Sequence, residues 1–411
     1  MKRTLLIIGF VALIIGIMVV IWILFFAPLF RRPPGTNGNA NGNVNGGILP
    51  NVNVNRRVNG NANQPLANRV TQLPTPSAVA NGGLTLVHQV TSGTAADPVM
   101  GSDGRAVQYY DPATRMFYRI DPATGKATPI SKQTFPDVQN VTWAPDSGRA
   151  VLEFPDDTKV IYDFQSAKQY QLPKEGRQFS FSPNSQNLAF SYISSDPSQR
   201  FLVTTDNTGA SIRPVQELGD NFNQVQVAWS PSNEVVGLYH HAINATQQEV
   251  IFIGQNDENF KALTVDGEGF KGKWTPDGRK LLYTVLSPAT NYNPELYLTL
   301  AKGDSIGDGK TDLGLSTFVD KCTFDRGSTY AYCAVPDALA NGSGLYPEFS
   351  QDAHYTFYTI DLSSGMTRQL ANPVDGGYAR YTIGTVFLSG DEQTLYFTDA
   401  ATQQLYSIRL K

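Results

Sequence analysis

The chain has 411 residues, 17% charged and 41% hydrophobic, with 36 glycines and 25 prolines. That turn-rich composition excludes a coiled coil or a helical bundle, and the length calls for one large domain or two average ones. The net charge of −4 hides a split: residues 1–83 hold seven of the 32 Lys/Arg and no acid, leaving 25 Lys/Arg against 36 Asp/Glu, a net of −11, in the remainder. An acidic folded part on a basic stalk argues against nucleic acid as its partner.

Residues 4–30 contain no charged side chain and are mostly Leu, Ile, Val, Phe and Trp. At 1.5 Å per residue a helix of that length spans about 40 Å, enough to cross a hydrocarbon layer of ~30 Å. The run is longer than the apolar core of a cleavable signal and ends in Ala27-Pro28-Leu29-Phe30-Arg31-Arg32, a poor cleavage site. Residues 1–32 therefore read as an uncleaved transmembrane signal-anchor in contact with the lipid bilayer. Lys2 and Arg3 flank one end and Arg31 and Arg32 the other, so the positive-inside count nearly cancels. A three-residue head is easily left in the cytoplasm, which places the C-terminal bulk outside, in a periplasm or at the cell surface.

Residues 33–82 repeat Asn-Gly, Asn-Ala and Asn-Val, as in Asn37-Gly38-Asn39-Ala40-Asn41-Gly42. Almost without aromatic or acidic residues, they cannot bury enough surface to offset chain entropy and read as a disordered linker.

From residue 83 to 411 one unit recurs: an aromatic, a small residue, Pro, Asp or a substitute, Gly or Ser, then an apolar run. It reads Trp143-Ala144-Pro145-Asp146-Ser147-Gly148, Phe181-Ser182-Pro183-Asn184-Ser185, Trp229-Ser230-Pro231-Ser232-Asn233 and Trp274-Thr275-Pro276-Asp277-Gly278-Arg279. Degenerate copies begin at Met100, Phe324 and Phe387, giving seven units spaced 43, 38, 48, 45, 50 and 63 residues apart. A period of 40–50 with short strands indicates a propeller. In each unit Pro presets the first turn position, Asp or Asn bonds the turn backbone, and Gly takes a conformation that bulkier residues resist. The last copy lacks an outer strand, and residues 84–90 form an orphan strand before the first. The expectation is that 84–90 completes blade seven and closes the ring, removing a free edge.

These Trp-Ser/Thr-Pro-Asp-Gly copies resemble the WD-like repeats of the TolB-type propeller, a family also related to the propeller cap of prolyl oligopeptidases. The resemblance covers residues 84–411 and is strongest around Trp143, Phe181, Trp229 and Trp274. It implies an all-β, seven-bladed β-propeller (six, as in TolB itself, is the alternative) that binds other proteins. Family binding residues cannot be transferred, because the matching positions are structural. The chain departs from TolB in its tether, in lacking an obvious preceding globular domain, and in a long insertion in blade six.

The search for chemistry finds no Gly-x-Ser-x-Gly elbow, phosphate-cradling glycine motif, His-Glu-x-x-His or Cys-x-x-Cys, so no cofactor is expected and no catalytic residue is assigned. His240 and His241 follow the second strand of blade four, where a loop is expected to begin. Asp304, Asp308 and Asp312 share a spacing of four, whereas calcium loops place oxygens at every second residue, so a polar loop is the simpler reading and a metal site the weaker one. Cys322 and Cys333 flank the blade-six turn. A hairpin pairing 324 with 331 sets them opposite each other, where a disulfide would suit an oxidising exterior. On the face holding the connections between blades, Asp137, Asp220, Glu268, Asp320 and Asp375 each precede a blade anchor. With His240, His241, Tyr292 and the insertion at 337–352 they predict an acidic mouth suited to a cationic peptide or envelope protein. The leading functional expectation is a membrane-anchored, extracytoplasmic, non-enzymatic binding or scaffolding module. A carboxylate-based hydrolase or lyase at the funnel, or a structural envelope component, are the alternatives.

Overall fold

The computed structural model describes residues 75–350, 352–376 and 381–411. The expected anchor at 1–32 and the linker up to residue 74 lie outside them. Among the described residues no helix is long and apolar enough to cross a membrane.

The described residues form seven sheets arranged as the blades of a β-propeller, preceded by two short strands, β1 (Leu84–Leu86) and β2 (His88–Gln89). Blade one is β3 (Ala96–Met100), β4 (Val107–Asp111), β5 (Met116–Asp121) and β6 (Lys126–Pro129). Blade two is β7 (Asn140–Trp143), β8 (Arg149–Glu153), β9 (Lys159–Asp163) and β10 (Lys168–Leu172). Blade three is β11 (Gly176–Phe181), β12 (Asn187–Tyr192), β13 (Phe201–Asp206) and β14 (Arg213–Glu217). Blade four is β15 (Val225–Val227), β16 (Val235–Asn244), β17 (Gln247–Gly254) and β18 (Leu263–Asp266). Blade five is β19 (Glu268–Trp274), β20 (Lys280–Leu286), β21 (Pro294–Leu300) and β22 (Thr311–Asp312). Blade six is β23 (Cys322–Phe324), β24 (Tyr330–Pro336), β25 (Tyr355–Asp361) and β26 (Thr367–Val374). Blade seven is β27 (Ile383–Leu388), β28 (Thr394–Asp399) and β29 (Leu405–Arg409).

The repeated motif is the turn from first to second strand, and its chemistry is a hydroxyl clamp. The Ser182, Thr275 and Ser389 hydroxyls accept the N–H of Asn187, Lys280 and Thr394 at 2.9–3.0 Å. Each donates in turn to the acidic or amide residue two positions on: Asn184, Asp277 and Asp391, at 2.6–2.7 Å. Every copy has one residue at positive φ: Gly104, Ser147, Ser185, Asn233, Gly278, Ser328 and Glu392. Only two of the seven are glycine, so the turn's own hydrogen bonds hold five non-glycine residues in the left-handed region.

The core is not axial. Each apolar cluster bridges two neighbouring blades: Tyr110 and Phe117 meet Leu152 and Tyr162, Ile161 meets Phe190, and Leu202 meets Val236. The series continues with Leu238 against Tyr283, Leu282 against Ala331 and Phe357 against Phe397. Tyr109 against Tyr396 then joins blade one to blade seven. Second strands are buried on both faces for this reason, as in Leu281–Leu286, where every residue is buried.

Closure corrects the reading of 84–90 as a single outer strand of blade seven. Only β2 pairs with β29, setting His88 opposite Ser407 and Gln89 opposite Tyr406. β1 instead runs parallel to β26 as a fifth strand of blade six, with Leu84 opposite Asn372. β26 is eight residues long and would otherwise present a free edge, which β1 covers. The switch falls at Val87, whose N–H donates to the Val374 carbonyl at 2.9 Å.

Blades seven and one also meet at their turns, where the Gly390 N–H donates to the Gly104 carbonyl at 2.8 Å. A Cβ on Gly390 would lie 2.4 Å from the Gly104 Cα, closer than non-bonded carbons tolerate. Gly390→Ala is therefore expected to cost about 1–3 kcal/mol of stability, read as a lower urea midpoint. Gly93→Ala, which meets nothing within 4 Å, serves as the control and is expected to leave the midpoint unchanged.

Candidate functional site: the axial funnel and the rim of blades four to six

The first strand of each blade pairs on one side only, and its other edge faces the axis. Unpaired backbone groups there need partners. Side chains from the preceding blade supply many of them. The Val141 N–H donates to the Asp97 carboxylate at 3.0 Å, and the Trp143 ring N–H to the Asp97 carbonyl at 2.8 Å. The Val227 N–H donates to the Gln178 side-chain oxygen and the Trp229 N–H to the Ser180 hydroxyl. Gln226 acts as a backbone mimic: its amide donates to the Gly272 carbonyl at 2.8 Å and accepts the Gly272 N–H at 2.9 Å. The Lys273 ammonium donates to the Cys322 carbonyl, and that of Lys321 to the Ile383 carbonyl at 2.7 Å.

These positions carry an electrostatic cost. Burial pushes the Lys273 and Lys321 ammonium groups below the usual lysine range, a shift that nearby Asp320 opposes. Burial also raises the carboxyl of Asp97, partly offset by the Val141 N–H. Glu153 is raised by burial too. Lys159 and Arg177 pull it down, and the neighbouring Asp97 pushes it further up. Asp97, Asp320, Lys321 and Asp399 line a cavity of about 590 Å³ on the funnel side of blades one, six and seven.

The five carboxylates of the expected mouth are all exposed. Asp137 sits at φ 60° between blades one and two. Asp220, in the 3-10 turn Gly219–Gln224, pairs with Arg200 at 3.1 Å, whose guanidinium lies over the Phe222 ring. Glu268 opens β19, and Asp375 follows β26 directly. Asp320, in the turn Val319–Lys321, pairs with Lys271 at 3.3 Å. Asp220 and Asp320 thus have a cation against them, and Lys271 and Lys273 of β19 and Lys321 of the following turn come from elements that the sequence reading left out.

His240 and His241 do not begin a loop, because β16 continues through Asn244. Alternation along the strand explains their different surroundings. His240 packs near Phe270 and faces Gln248 at 3.5 Å, and burial together with His241 lowers its pKa. His241 stacks on Tyr239 and lies 3.7 Å from Glu249. Asp308 is paired with Lys261 at 2.9 Å, Asp312 accepts the Gly314 N–H, and Asp304 lies in the turn Gly303–Ser305. Among the described residues no group of three or more His, Cys, Asp or Glu could hold a metal ion. Cys322 and Cys333 face each other across β23 and β24 and are disulfide-bonded, with S–S 2.08 Å.

The rim of blades four to six is built as one piece. Tyr292, at φ 57°, belongs to the loop that joins β20 to β21. The blade-six insertion docks on this loop: the Gly342 N–H donates to the Asn291 carbonyl at 2.7 Å and the Gly344 N–H to the Tyr292 carbonyl at 2.9 Å. The approach is close enough to need glycine, since a Cβ on Gly344 would lie 2.3 Å from the Tyr292 carbonyl oxygen.

No protein-family model matches the chain, and no curated protein sequence matches it. Among solved structures it is similar to the Cps50 (Swd1) β-propeller domain of Myceliophteria thermophila, at 11% identity and a TM-score of 0.53, covering 79% of this chain and 100% of that one. It is similar also to an oligogalacturonate lyase in complex with manganese, at 12% identity and a TM-score of 0.52, covering 79% and 93%. TolB from Acinetobacter baumannii matches at 12% identity and a TM-score of 0.37, over 74% and 63%. The first two likenesses establish the fold, a β-propeller.

Gln226→Ala strands both the N–H and the carbonyl of Gly272. The expected loss is about 1–3 kcal/mol in denaturant unfolding, whereas truncating the exposed Asn223 is expected to change little.

Proposed function

We propose that the chain is a membrane-anchored, extracytoplasmic propeller that works as a non-enzymatic binding module for envelope proteins, and that it binds through the rim of blades four to six. The observation that carries this reading is the division of labour between funnel and rim. Polar groups at the funnel, including Asp97, Gln178, Gln226, Lys273 and Lys321, bond to the next blade. The insertion, by contrast, is fixed by its own backbone to the blade-five loop, leaving side chains outside the ring bonds. A preformed, rigid surface binds at lower entropic cost than a flexible one. The 27-residue uncharged run at 4–30 supports the tether, and the Cys322–Cys333 disulfide supports an oxidising compartment.

Photo-crosslinking residues placed in intact membranes at Ala245 and Tyr346, against Thr124 at the opposite turns, test the reading. Adducts with a membrane or envelope protein are expected from the first two positions and not the third. In the same cells an added protease is expected to reach the propeller once the outer barrier is opened, with Cys322 and Cys333 refractory to maleimide before reduction. Adducts from Thr124 alone, or a propeller protected behind the inner membrane, would overturn it.

A second reading, a carboxylate-based lyase or hydrolase at the funnel, is favoured by Asp97 and Glu153. Both are held above the usual carboxylate range by burial, and Asp97 raises Glu153; raised carboxyls suit general acid work. If it holds, oligogalacturonate incubated with the protein is expected to yield unsaturated or shortened products, with Glu153→Gln reducing turnover at least tenfold and leaving unfolding unchanged. No turnover by the native chain rejects this activity.

A further inference from the structure

We infer that the blade-six insertion is the anchor of the binding rim and that its occupant is a protein segment carrying apolar side chains flanked by lysine or arginine. This rests on the binding reading above and names its surface and the chemistry of its partner. Among the described residues, seven large hydrophobic side chains are exposed, and three of them, Leu345, Tyr346 and Phe349, fall within five positions of the insertion. The Tyr346 and Phe349 rings lie 5.3 Å apart, so they form one patch.

The patch is held in place. Beyond the bonds from Gly342 and Gly344 to the blade-five loop, the Tyr346 N–H donates to the Gly342 carbonyl and the Phe349 N–H to that of Tyr346. The Ser350 hydroxyl closes on the Pro347 carbonyl at 2.7 Å. Ser343 is completely buried beneath and donates to the Ala340 carbonyl. A disordered loop could turn its apolar residues inward. This one is braced with them facing solvent, at a cost in exposed apolar surface, and such patches mark interaction sites. Tyr is also among the residues enriched at binding hot spots.

Charge selects the partner. Between Arg326 and Arg368 the sequence holds no Lys or Arg, and the insertion carries Asp337, Glu348 and Asp352. The neighbouring tips of the rim, residues 242–248 in blade four and 287–294 in blade five, contain no charged residue at all. The connection that carries the apolar patch thus holds acids, with Glu348 and Asp352 next to the patch in sequence, and no Lys or Arg, and an apolar segment bearing cations is complementary to it.

The test uses the full chain in nanodiscs of uncharged lipid, with empty nanodiscs as the blank. The probe is a labelled 14-residue peptide alternating leucine with lysine, and its companions replace every lysine by glutamate or every leucine by serine. Saturable binding of the first peptide alone is expected, weakened at least tenfold by Tyr346→Ser with Phe349→Ser and several-fold by Glu348→Lys. Both aromatic side chains are more than half exposed, so the double variant is expected to keep its near-ultraviolet circular dichroism. Glu348→Lys gives an independent reading if it does not. Equal binding by native and variant chains, or none by the native chain, overturns the inference. So does concentration-dependent self-association, or insertion of the patch into lipid, that the double variant abolishes. If rim crosslinks persist in membranes while the variants bind unchanged, the inference fails and the binding reading stands. If both are absent, the two fail together.

Discussion

The constraint on which the rest of the ring depends is the unpaired inner edge of each first strand. A blade's outer edge can open to solvent or take an added strand, as β26 takes β1, but the inner edge turns its amide and carbonyl groups toward the axis. The solution at most blade boundaries is to lend a side chain to the neighbouring blade. An aspartate, a glutamine and two lysines do so at four boundaries, and Ser180 with Gln178 at a fifth. Between blades two and three the bond moves to the turns, where the Asp146 N–H meets the Ser185 hydroxyl. Between blades seven and one it is Gly390 on Gly104. The two lysines bear a desolvation cost for this service, and their charges remain near Asp320, whose attraction offsets part of it.

What was legible in the sequence was local. The Ser/Thr-Pro-Asp-Gly turn closes its hydrogen bonds within five residues, so its signature survives in a linear reading and gave the blade number and the strand ends. The pairing of Cys322 with Cys333 followed from hairpin register alone, since 324 opposite 331 sets 322 opposite 333. The divided role of 84–90 was not legible. A seven-residue mixed strand sequence carries no mark of where it leaves one sheet for the next, and the long edge of β26 that claims its first half lies nearly 290 residues away.

The funnel's bonds escaped for a different reason. Asp97 reaches Val141, Gln226 reaches Gly272 and Lys273 reaches Cys322 across 44, 46 and 49 positions, which is one blade each time. A polar residue inside an otherwise apolar first strand, recurring at the repeat length, is the signal that could have found them. The same omission affected the expected mouth. Counting carboxylates in the connections registers Asp220 and Asp320, but Arg200 and Lys271, which face them, come from other elements of their own or the neighbouring blade. Charge summed along loops is therefore a poor guide to the field at a propeller's axis, where strands from every blade converge.

These two observations together favour variation at the rim over variation at the axis. A funnel side chain that bonds to the next blade cannot change without stranding a backbone group, so its identity is tied to the stability of the whole ring. The tip joining a blade's second and third strands is under no such obligation. Lengthening a surface connection costs only the logarithm of its length in closure entropy. Blade four uses that freedom to extend β16 to ten residues, and blade six uses it to place 18 residues, 337–354, between β24 and β25. The second addition is anchored to a neighbouring blade by backbone bonds to residues 291 and 292. Anchoring turns an insertion that the ring merely tolerates into a surface of fixed shape, and a fixed shape is what selective recognition requires.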